Sequence, residues 1–394
     1  MTTYVPLGEL AAEKGFVGGP FGSNLVSDDY RPSGVPVIRG ANMGEDGRLH
    51  GPFVYVSEEK FKSDLARNTA SAGDLVFTQR GTLGQVARLD EGSQPFVISQ
   101  SQMRLRVDPR KADSRYVLYA CQLKEFRQLI DSVAIRTGVP HINLGILKEL
   151  VIPVAPLPLQ RAIAEVLVAL DDKIAANRHV AESARALAVT IVSRLAARCA
   201  VSDVATQSRS SVNPNTMSDE AVQHYSLPAF DAGAPEVVAP AALMSAKNHL
   251  QEPAVLVAKL NPRIPRIWPV PHLGVMPALA SPEFVALTPR NTSVGALWGA
   301  LAHPSFTEKV LTFVAGTTGS HQRVKPEHLL SVSIPDIRQL SSAEDTTVQT
   351  LVALTQQVVS ENETLAKTRD ELLPLLMSGK ITVRDAEKRV EGVV

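Results

Sequence analysis

Apolar residues recur in alternating steps of four and three along two long stretches of the chain, and this spacing predicts two long helices. Each stretch is longer than the usual helix of about 11–12 residues and forms a heptad seam, which favours a coiled coil made by the two helices together. One such stripe alone is also typical of an amphipathic helix lying on its own domain's core. The first seam comprises Ile163, Leu167, Leu170, Ile174, Asn177, Ala181, Ala184, Ala188, Ile191 and Leu195. The second comprises Leu351, Leu354, Val358, Glu361, Leu365, Thr368, Leu372 and Leu375.

The two helices belong to an internal repeat whose period is about half of the chain. The letters LVAL occur at 167–170 and again at 351–354. Ahead of them, 137–153 and 318–335 share an order of features: Thr-Gly, a polar loop with a histidine, a Leu-rich turn and an Ile-Pro exit. The polar exceptions Asn177 and Glu361 occupy matching places in the seams, where a polar residue can fix the register.

Strand-like runs separated by turn residues precede each helix, and one helical run, 114–130, follows them in the first half. We therefore predict an α+β fold, with two mixed domains in tandem repeat separated by two long helices that form an antiparallel coiled coil. The polar segment 201–220 is interpreted as a linker or a surface loop. The predicted boundaries are 1–155 (first domain), 156–198 (first helix), 199–340 (second domain), 341–378 (second helix) and 379–394 (C-terminal tail).

The composition adds bounds on function. A chain of 394 residues suggests two to three domains, and we find neither a signal peptide nor a stretch approaching the roughly 18 apolar residues of a membrane span. The two cysteines, Cys121 and Cys199, lack the spacing of a zinc site and fit a reduced, cytoplasmic setting. The formal net charge of zero counts against DNA binding, although a neutral chain can carry a local basic face.

Catalytic signatures are missing from the sequence. The Gly379–Lys380 pair has Pro374 in place of the first glycine of a phosphate-binding loop, and no dinucleotide fingerprint or HExxH is present. The Asn-Pro of 260–263 lacks the rest of a base-methyltransferase motif. We expect no catalytic residues and no metal site, and we interpret the chain as a protein that binds rather than reacts.

At this point the chain resembles the specificity (S) subunit of a Type I restriction-modification system, over nearly its whole length. In the first half, the resemblance is carried by GGPFGSNL (18–25), GVPVIRGANM (34–43), DLVFTQRGTLGQVA (74–87) and IPVAPLPLQRAIAEVLVALDDKI (152–174). In the second half, it is carried by VLVAKLNPR (255–263), SPEFVAL (281–287), GTTGSHQRVKPEHLLSVSIP (316–335) and ELLPLLMSGKI (371–381). The chain departs from the family at Leu159–Gln160, where Glu-Gln is common, and it lacks a proline-rich exit after Pro335.

The resemblance implies a non-catalytic subunit for phage defence. Two target-recognition domains would each bind one half of a split site in double-stranded DNA, and the helices would dock two methyltransferase subunits. The chain itself would hold no cofactor. S-adenosylmethionine would be bound by the methyltransferase partners, and ATP and Mg²⁺ by a restriction subunit where one exists.

Side chains that can contact bases or phosphates cluster in the loops of both domains. In the first domain, we expect DNA contacts from Ser23, Asn24, Gln79, Arg80, Thr82, Gln100, Gln102, Arg136, Thr137, His141 and Asn143. In the second domain, we expect them from Lys259, Asn261, Arg263, Arg266, Thr317, Thr318, Ser320, His321, Gln322 and Arg323. Two alternatives stay open: a specificity module of a related methylation-based defence system, and a coiled-coil scaffold that binds proteins without reading DNA.

Overall fold

The structure is a computed structural model that describes residues 3–136, 138–314 and 322–393. The chain divides into two compact units, unit 1 (Met1–Ile174 with Thr364–Val394) and unit 2 (Ala175–Glu363). Each unit contains one globular domain and a part of both long helices. The fold is α+β with tandem domains and long helices, as predicted.

The strands and helices carry the following bounds. The strands are β1 (Thr3–Pro6), β2 (Ala11–Gly18), β3 (Val35–Ile38), β4 (Val54–Val56), β5 (Thr69–Ala70), β6 (Leu75–Thr78), β7 (Val86–Arg88), β8 (Phe96–Ile98), β9 (Gln102–Val107), β10 (Val151–Val154), β11 (Arg198–Ala200), β12 (Ala205–Gln207), β13 (Ser211–Val212), β14 (Val222–Tyr225), β15 (Glu236–Val238), β16 (Lys247–Leu250), β17 (Ala254–Ala258), β18 (Ile267–Val270), β19 (Ala278–Ala280), β20 (Phe284–Pro289) and β21 (Ser333–Pro335). The helices are α1 (Leu7–Leu10), α2 (Glu58–Lys60), α3 (Ser114–Gln122), α4 (Lys124–Val133), α5 (Leu144–Glu149), α6 (Leu157–Ser193), α7 (Val201–Val204), α8 (Leu227–Ala232), α9 (Val294–Ala302), α10 (Pro304–Leu311), α11 (Pro326–Ser331), α12 (Ser342–Ser378) and α13 (Val383–Glu391).

The first domain is built on an antiparallel sheet of order β2-β9-β6-β7 and a second sheet of order β4-β3-β8-β5. All four residues of β6 are buried, because both faces of this strand are covered. Leu75 and Phe77 pack in one cluster with Tyr116 of α3, whereas Val76 packs on the other side with Ile98 of β8. Alternate side chains of a strand point to opposite faces, so this central strand joins two parts of the core.

The second domain repeats this arrangement. Its main sheet has the order β12-β20-β17-β18, which matches β2-β9-β6-β7 strand for strand along the chain. Its second sheet, β13-β16-β19-β14-β15, contains one parallel pair, β14 with β19, as the first domain pairs β3 with β8. The short pairs β1-β10 and β11-β21 are likewise equivalent. The internal repeat predicted from the sequence is therefore present in the topology.

The segment predicted to be a linker, 201–220, is part of the second domain, so that prediction is wrong. Val201, Val204 and Ala205 are buried in the core of unit 2, and β12 pairs with the central strand β20. The segment looks like a linker in sequence because its apolar residues are few and its strands are two or three residues long.

The long helices pack antiparallel in each unit. In unit 1, Leu167 near the start of α6 lies in one buried cluster with Leu372 near the end of α12. In unit 2, Ala188 near the end of α6 lies in one cluster with Val352 near the start of α12. Packing along a narrow apolar seam is the reason why helices of this length are stable.

The buried stripe of α6 follows the prediction until its last turn. The predicted residues from Ile163 to Ala188 are buried, including the polar Asn177. Val192 is then buried where Ile191 was predicted, and Leu195 lies beyond the end of the helix. An α-helix has 3.6 residues per turn, so a strict 3.5-residue pattern drifts around its surface by about 20° per heptad.

The buried stripe of α12 follows the prediction only in part. Val358, Leu365 and Leu372 are buried as predicted. The remaining predicted positions, Leu351, Leu354, Glu361, Thr368 and Leu375, are only half-buried. Burial falls one residue later at Val352, Thr355 and Leu376. Thr355 tolerates this position because its hydroxyl donates a hydrogen bond to the carbonyl of Leu351 at 3.0 Å.

Polar contacts tie the first domain to the helices within unit 1. The buried carboxylate of Asp171 on α6 accepts hydrogen bonds from Arg369 Nη1 of α12 and from Tyr119 Oη of α3, both at 2.6 Å. Burial and the nearby Asp171 carboxylate raise the pKa of Tyr119 above its usual range, so the phenol stays a donor. Arg48 contacts the neighbouring Asp172 at 2.5 Å. These contacts orient the domain relative to the helix segments of its own unit.

Candidate nucleic-acid interface

One edge of the main sheet in the first domain collects several loops. Strands β2, β9 and β6 are neighbours, and β2 ends, β9 begins and β6 ends at this edge. Gly19 N–H donates to Gln102 O at 2.9 Å, Gln79 N–H to Ser101 O at 2.7 Å, and Ile142 N–H to Gln79 O at 3.0 Å. We call this surface the first edge, defined by residues 19–25, 79–85, 99–102, 135–136 and 138–143, since Ile135 forms an antiparallel bridge with His141.

The first edge brings together predicted side chains that are distant in sequence. Ser23, Asn24, Arg80 and Thr82 are exposed on it, and His141 is half-buried. Gln79 is also half-buried on this edge, where its backbone makes the contacts described above. Hydroxyl, amide and guanidinium groups on one exposed surface are the donors and acceptors that contact phosphates and base edges.

The cations of the first edge are not neutralised by carboxylates. Arg80 is exposed, and its backbone forms an antiparallel bridge with His141. Arg136 donates from Nη2 to the carbonyl oxygen of Asp131 at 3.0 Å. Among the residues that the structure describes, neither guanidinium forms an ion pair with an acidic side chain. Both charges are therefore available to an anionic partner.

Two predicted contacts of the first domain form hydrogen bonds within the protein, and one of them, Gln102, is buried. Gln102 is 0% exposed because it lies on the central strand β9, and its side chain is hydrogen-bonded to the Ser99 hydroxyl. A side chain buried in this way cannot reach DNA, so we correct that prediction. Asn143 accepts the N–H of Ile146 at 2.9 Å through its side-chain oxygen and caps the N-terminus of α5.

Gln100 also forms hydrogen bonds within the protein. Its amide nitrogen donates to the carbonyl oxygens of Gly22 at 2.6 Å and of Leu25 at 2.9 Å. Both donor hydrogens are thus engaged in holding the loop 19–25. The DNA contact predicted for Gln100 stays a prediction, and the structure adds a role in supporting this loop.

The second domain has an equivalent edge, where β12 ends, β20 begins and β17 ends. Lys259 N–H donates to Glu283 O at 2.8 Å, and Asn261 N–H donates to Gln322 O at 2.9 Å. We call this surface the second edge, defined by residues 208–210, 259–266, 281–283 and 322–324.

The two edges are assembled by the same backbone contacts. In the first edge, the residue after the central strand, Gln79, accepts the N–H of Ile142 at 3.0 Å. In the second edge, the equivalent Lys259 accepts the N–H of Val324 at 3.1 Å. The repeat therefore extends from the core to the loops that carry the predicted contacts.

Two arginines of the second edge, Arg266 and Arg323, are paired with carboxylates. Arg266 contacts Asp231 through Nε and Nη2, both at 2.7 Å, and Arg323 contacts Glu283 at 3.3 and 3.0 Å. Hydrogen bonds to these carboxylates raise the pKa of both guanidinium groups. Arg263 is exposed and has no such partner among the described residues.

The remaining predicted residues of the second domain differ in how accessible their side chains are to DNA. Asn261 is half-buried with φ +50°, a left-handed conformation that asparagine tolerates, so it shapes the turn after β17. Gln322 is only 8% exposed, which corrects its predicted contact with DNA. Outside the described residues lie Thr137, Thr317, Thr318, Ser320 and His321, and their roles stay predictions.

Two exposed side chains on the edges were missed in the sequence. Arg209 follows β12 on the second edge, and the interpretation of its segment as a linker concealed it. Phe21 lies on the first edge beside Ser23 and Asn24 and is 86% exposed. The glycine-rich loop that carries it was a usable signal, but only its polar residues were considered.

Neither a metal centre nor a membrane helix is found in the part of the chain that the structure describes. No group of three or more His, Cys, Asp or Glu side chains there is arranged to hold a metal ion. Across 3–136, 138–314 and 322–393, no helix has both the length and the apolar character needed to cross a bilayer.

Comparison with known proteins identifies the family of the first half. Residues 22–184 match the family model described as Type I restriction modification DNA specificity domain. Residues 22–184 are thus similar to a Type I DNA specificity domain. This domain contains most of the first edge, and the resemblance predicted from the sequence is confirmed.

Relatives of this specificity domain agree with the match. The Type I restriction enzyme MjaVIII specificity subunit of Methanocaldococcus jannaschii is 25% identical over 165 residues, which cover 41% of this chain and 39% of that subunit. The crystal structure of a Type I restriction-modification S subunit from M. genitalium is 17% identical, with a TM-score of 0.61. It covers 95% of this chain and 96% of its own, so the fold is shared over the full length.

Proposed function

We propose that the chain is the non-catalytic DNA sequence-specificity subunit of a Type I restriction-modification enzyme. Each globular domain binds one half of a bipartite site in double-stranded DNA through its edge. The observation that carries this proposal is the duplication of the edge: the same backbone contacts, through Gln79 and Lys259, present different side chains. A duplicated scaffold with divergent loops is suited to reading two different half-sites.

The side chains of the first edge divide into two roles under this proposal. Ser23, Asn24 and Thr82 are short and exposed, and they donate to phosphate oxygens and set the position of the domain on the duplex. Arg80 and Arg136 carry unpaired charge and contact phosphates or guanine. In the second edge, Arg323 and Arg266 are held by carboxylates in a fixed orientation, as bidentate recognition of a base requires.

The long helices dock the catalytic partners in this proposal. Two methyltransferase subunits bind the helices and supply the S-adenosylmethionine site, and a restriction subunit, where present, supplies the ATP- and Mg²⁺-dependent steps. The complex acts in the cytoplasm, where its DNA substrate is.

A methylome measurement tests the proposal. Long-read sequencing of the native host is compared between cells with the gene intact and cells with the gene deleted. We expect one split methylated motif to disappear on deletion, which also reveals the target sequence. If deletion leaves the methylation pattern unchanged while the methyltransferase partner is expressed, the proposal fails.

A protein scaffold that does not read DNA is a second candidate, favoured by the zero net charge of the chain. If the chain is only a scaffold, it makes no phosphate contacts and does not affect how the DNA affinity of the complex depends on salt. If the chain does contact phosphates, that affinity falls steeply as the salt concentration rises. A specificity module of a related methylation-based defence system would bind DNA in the same way as a Type I subunit. The presence of a restriction subunit in the purified complex would indicate a Type I enzyme, and its absence would indicate the related methylation-based system.

A further inference from the structure

Phe21 is a large apolar side chain presented to solvent at the tip of the loop 19–25. It is 86% exposed, and the four residues 21–24 are all exposed. On either side of this tip, Pro20 and Leu25 are buried, and Leu25 packs in a core cluster with Val37 and Val97. The tip therefore projects from an anchored base.

The loop is held in one conformation by its neighbours. The amide of Gln100 donates to the carbonyls of Gly22 and Leu25, and the N–H of Asn24 donates to the carbonyl of Phe21 at 3.2 Å. At Gly19, the backbone lies so close to the β8–β9 turn that a Cβ would be 2.1 Å from a carbonyl oxygen. A side chain presented by such a loop loses little further backbone entropy when it binds.

Phe21 is flanked by polar residues on the loop tip, while the first edge also exposes the apolar Val139. Ser23 and Asn24 follow it on the tip, and the first edge also carries the unpaired Arg80. The centre of a protein–protein interface is usually a contiguous apolar patch depleted of charge, which this surface is not. An isolated aromatic ring among phosphate-binding groups is instead typical of nucleic-acid binding, where rings stack on bases and apolar wedges insert at base steps.

We propose that Phe21 is an apolar wedge that stacks against a base step of the half-site bound by the first domain. This inference rests on the proposed function. The phosphate contacts of Ser23 and Asn24 hold the tip against the backbone of the duplex, while the ring contacts the bases beside them. Phe21 thereby favours base steps that unstack readily, which adds sequence preference without a hydrogen bond.

Selection from a randomised duplex pool tests the inference, using the full chain in complex with its methyltransferase partner. The variants are Phe21→Ala, Phe21→Trp and the matched control Tyr4→Ala, which removes an aromatic ring that is 70% exposed on β1, outside the first edge. We expect F21A to bind the selected wild-type site about 10-fold more weakly and to lose preference at one base step of one half-site. F21W should keep the wild-type affinity and the preference at that base step, and Y4A should behave as wild type.

A second measurement locates the ring. With 2-aminopurine placed at successive positions of the selected site, wild type and F21W should change its fluorescence at one step, and F21A should not. Equal thermal unfolding of F21A and wild type is expected, since the side chain is exposed, and it separates lost binding from lost folding.

Three outcomes overturn the inference, and they are distinguishable. If wild type selects a bipartite site and F21A binds that site equally well, Phe21 is no wedge although the proposed function stands. If F21A instead fails to assemble with the methyltransferase, the ring contacts protein. If wild type itself selects no site, the proposed function fails, and the inference fails with it.

Discussion

The two edges share a backbone framework but present their positive charge differently. On the first edge, Arg80 and Arg136 have no carboxylate partner among the described residues. The second edge also carries two such arginines, Arg209 and Arg263, and in addition Arg266 and Arg323, which are each bound to an acidic side chain. The loop after the first strand of the main sheet differs too, with Phe21 in one domain and Arg209 in the other. The comparison shows that the main sheet determines where the candidate DNA-contacting loops lie. The sequences of the loops determine which charged, polar or aromatic side chains are presented there.

This difference has an energetic consequence for a chain with a formal net charge of zero. An unpaired exposed arginine gains the full attraction of a phosphate, whereas a paired arginine must first lose, or share, its carboxylate. The paired Arg266 and Arg323 should therefore contribute less salt-dependent affinity than the unpaired arginines of either edge. Their contribution should be orientation and selectivity more than attraction.

The largest effect is expected from Arg80→Ala combined with Arg136→Ala. Loss of two phosphate contacts should weaken DNA binding by about 10- to 100-fold and reduce the slope of log affinity against log salt by about two. Binding titrations of the complex at several salt concentrations measure both. The matched control removes two exposed arginines of α13, Arg384 and Arg389, and should leave the slope unchanged. If both double variants show the same slope, Arg80 and Arg136 do not contact phosphates as proposed.

Removing carboxylates should make the second edge resemble the first. In Glu283→Gln combined with Asp231→Asn, the two arginines keep their charge and lose their partners, so non-specific DNA affinity should rise several-fold, by about 3- to 10-fold, at low salt. The salt slope should steepen by about one to two. Glu252→Gln, which changes an exposed carboxylate at the opposite end of β17, is the control. Unchanged or weaker binding of the double variant would show that the carboxylates do not restrain the arginines.

Gln100 offers a smaller effect, specific to the first edge. Gln100→Ala removes both hydrogen bonds that hold the loop 19–25, so the loop should become mobile and DNA affinity should fall by about 3- to 10-fold. Hydrogen exchange should be faster for amides 21–25 and unchanged in the second domain. Exchange as slow as in the wild type would mean that the loop is held by other contacts.

The smallest effect concerns the second sheets of the two domains. All residues of β3 in the first domain are buried and apolar, whereas β14 of the second carries His224 beside Lys247 and Glu236. Burial, with the nearby Lys247, lowers the pKa of His224 despite the opposing Glu236. The folded protein thus binds fewer protons than the unfolded chain, and stability contributed by neutral His224 is lost as pH falls through the histidine range.

His224→Gln should therefore reduce the acid sensitivity of unfolding. The midpoint of thermal unfolding should fall less between about pH 7 and about pH 5 in the variant than in the wild type. An identical pH dependence of His224→Gln and wild type would exclude this histidine as the source.

The repeat and both long helices could be predicted from the sequence, because heptad spacing and repeated motifs are local features. The register of α12 could not be predicted position by position, since burial falls one residue late at Val352 and Leu376 but follows the heptad between them at Leu365. The predicted linker was wrong because β12 gains its stability from pairing with β20, a contact distant in sequence.

The candidate site was predictable as clusters but not residue by residue. The polar runs around Gln79 and Lys259 do lie at the sheet edges. The burial of Gln102 and Gln322 depends on which neighbours cover them, and a glutamine has the same letter whether it faces solvent or the core. Phe21 was missed because an aromatic residue in a glycine-rich loop is more often assigned to the core than to the surface.

The most direct test of the account is duplex selection by the full complex carrying changes in one edge at a time. One variant combines Gln79→Ala with Arg80→Ala, and the other combines Lys259→Ala with Arg263→Ala. The account predicts that each variant alters only one half of the selected bipartite sequence, a different half for each, and leaves the other half as in wild type. Changes in both halves by either variant, or in neither half by both, would contradict it.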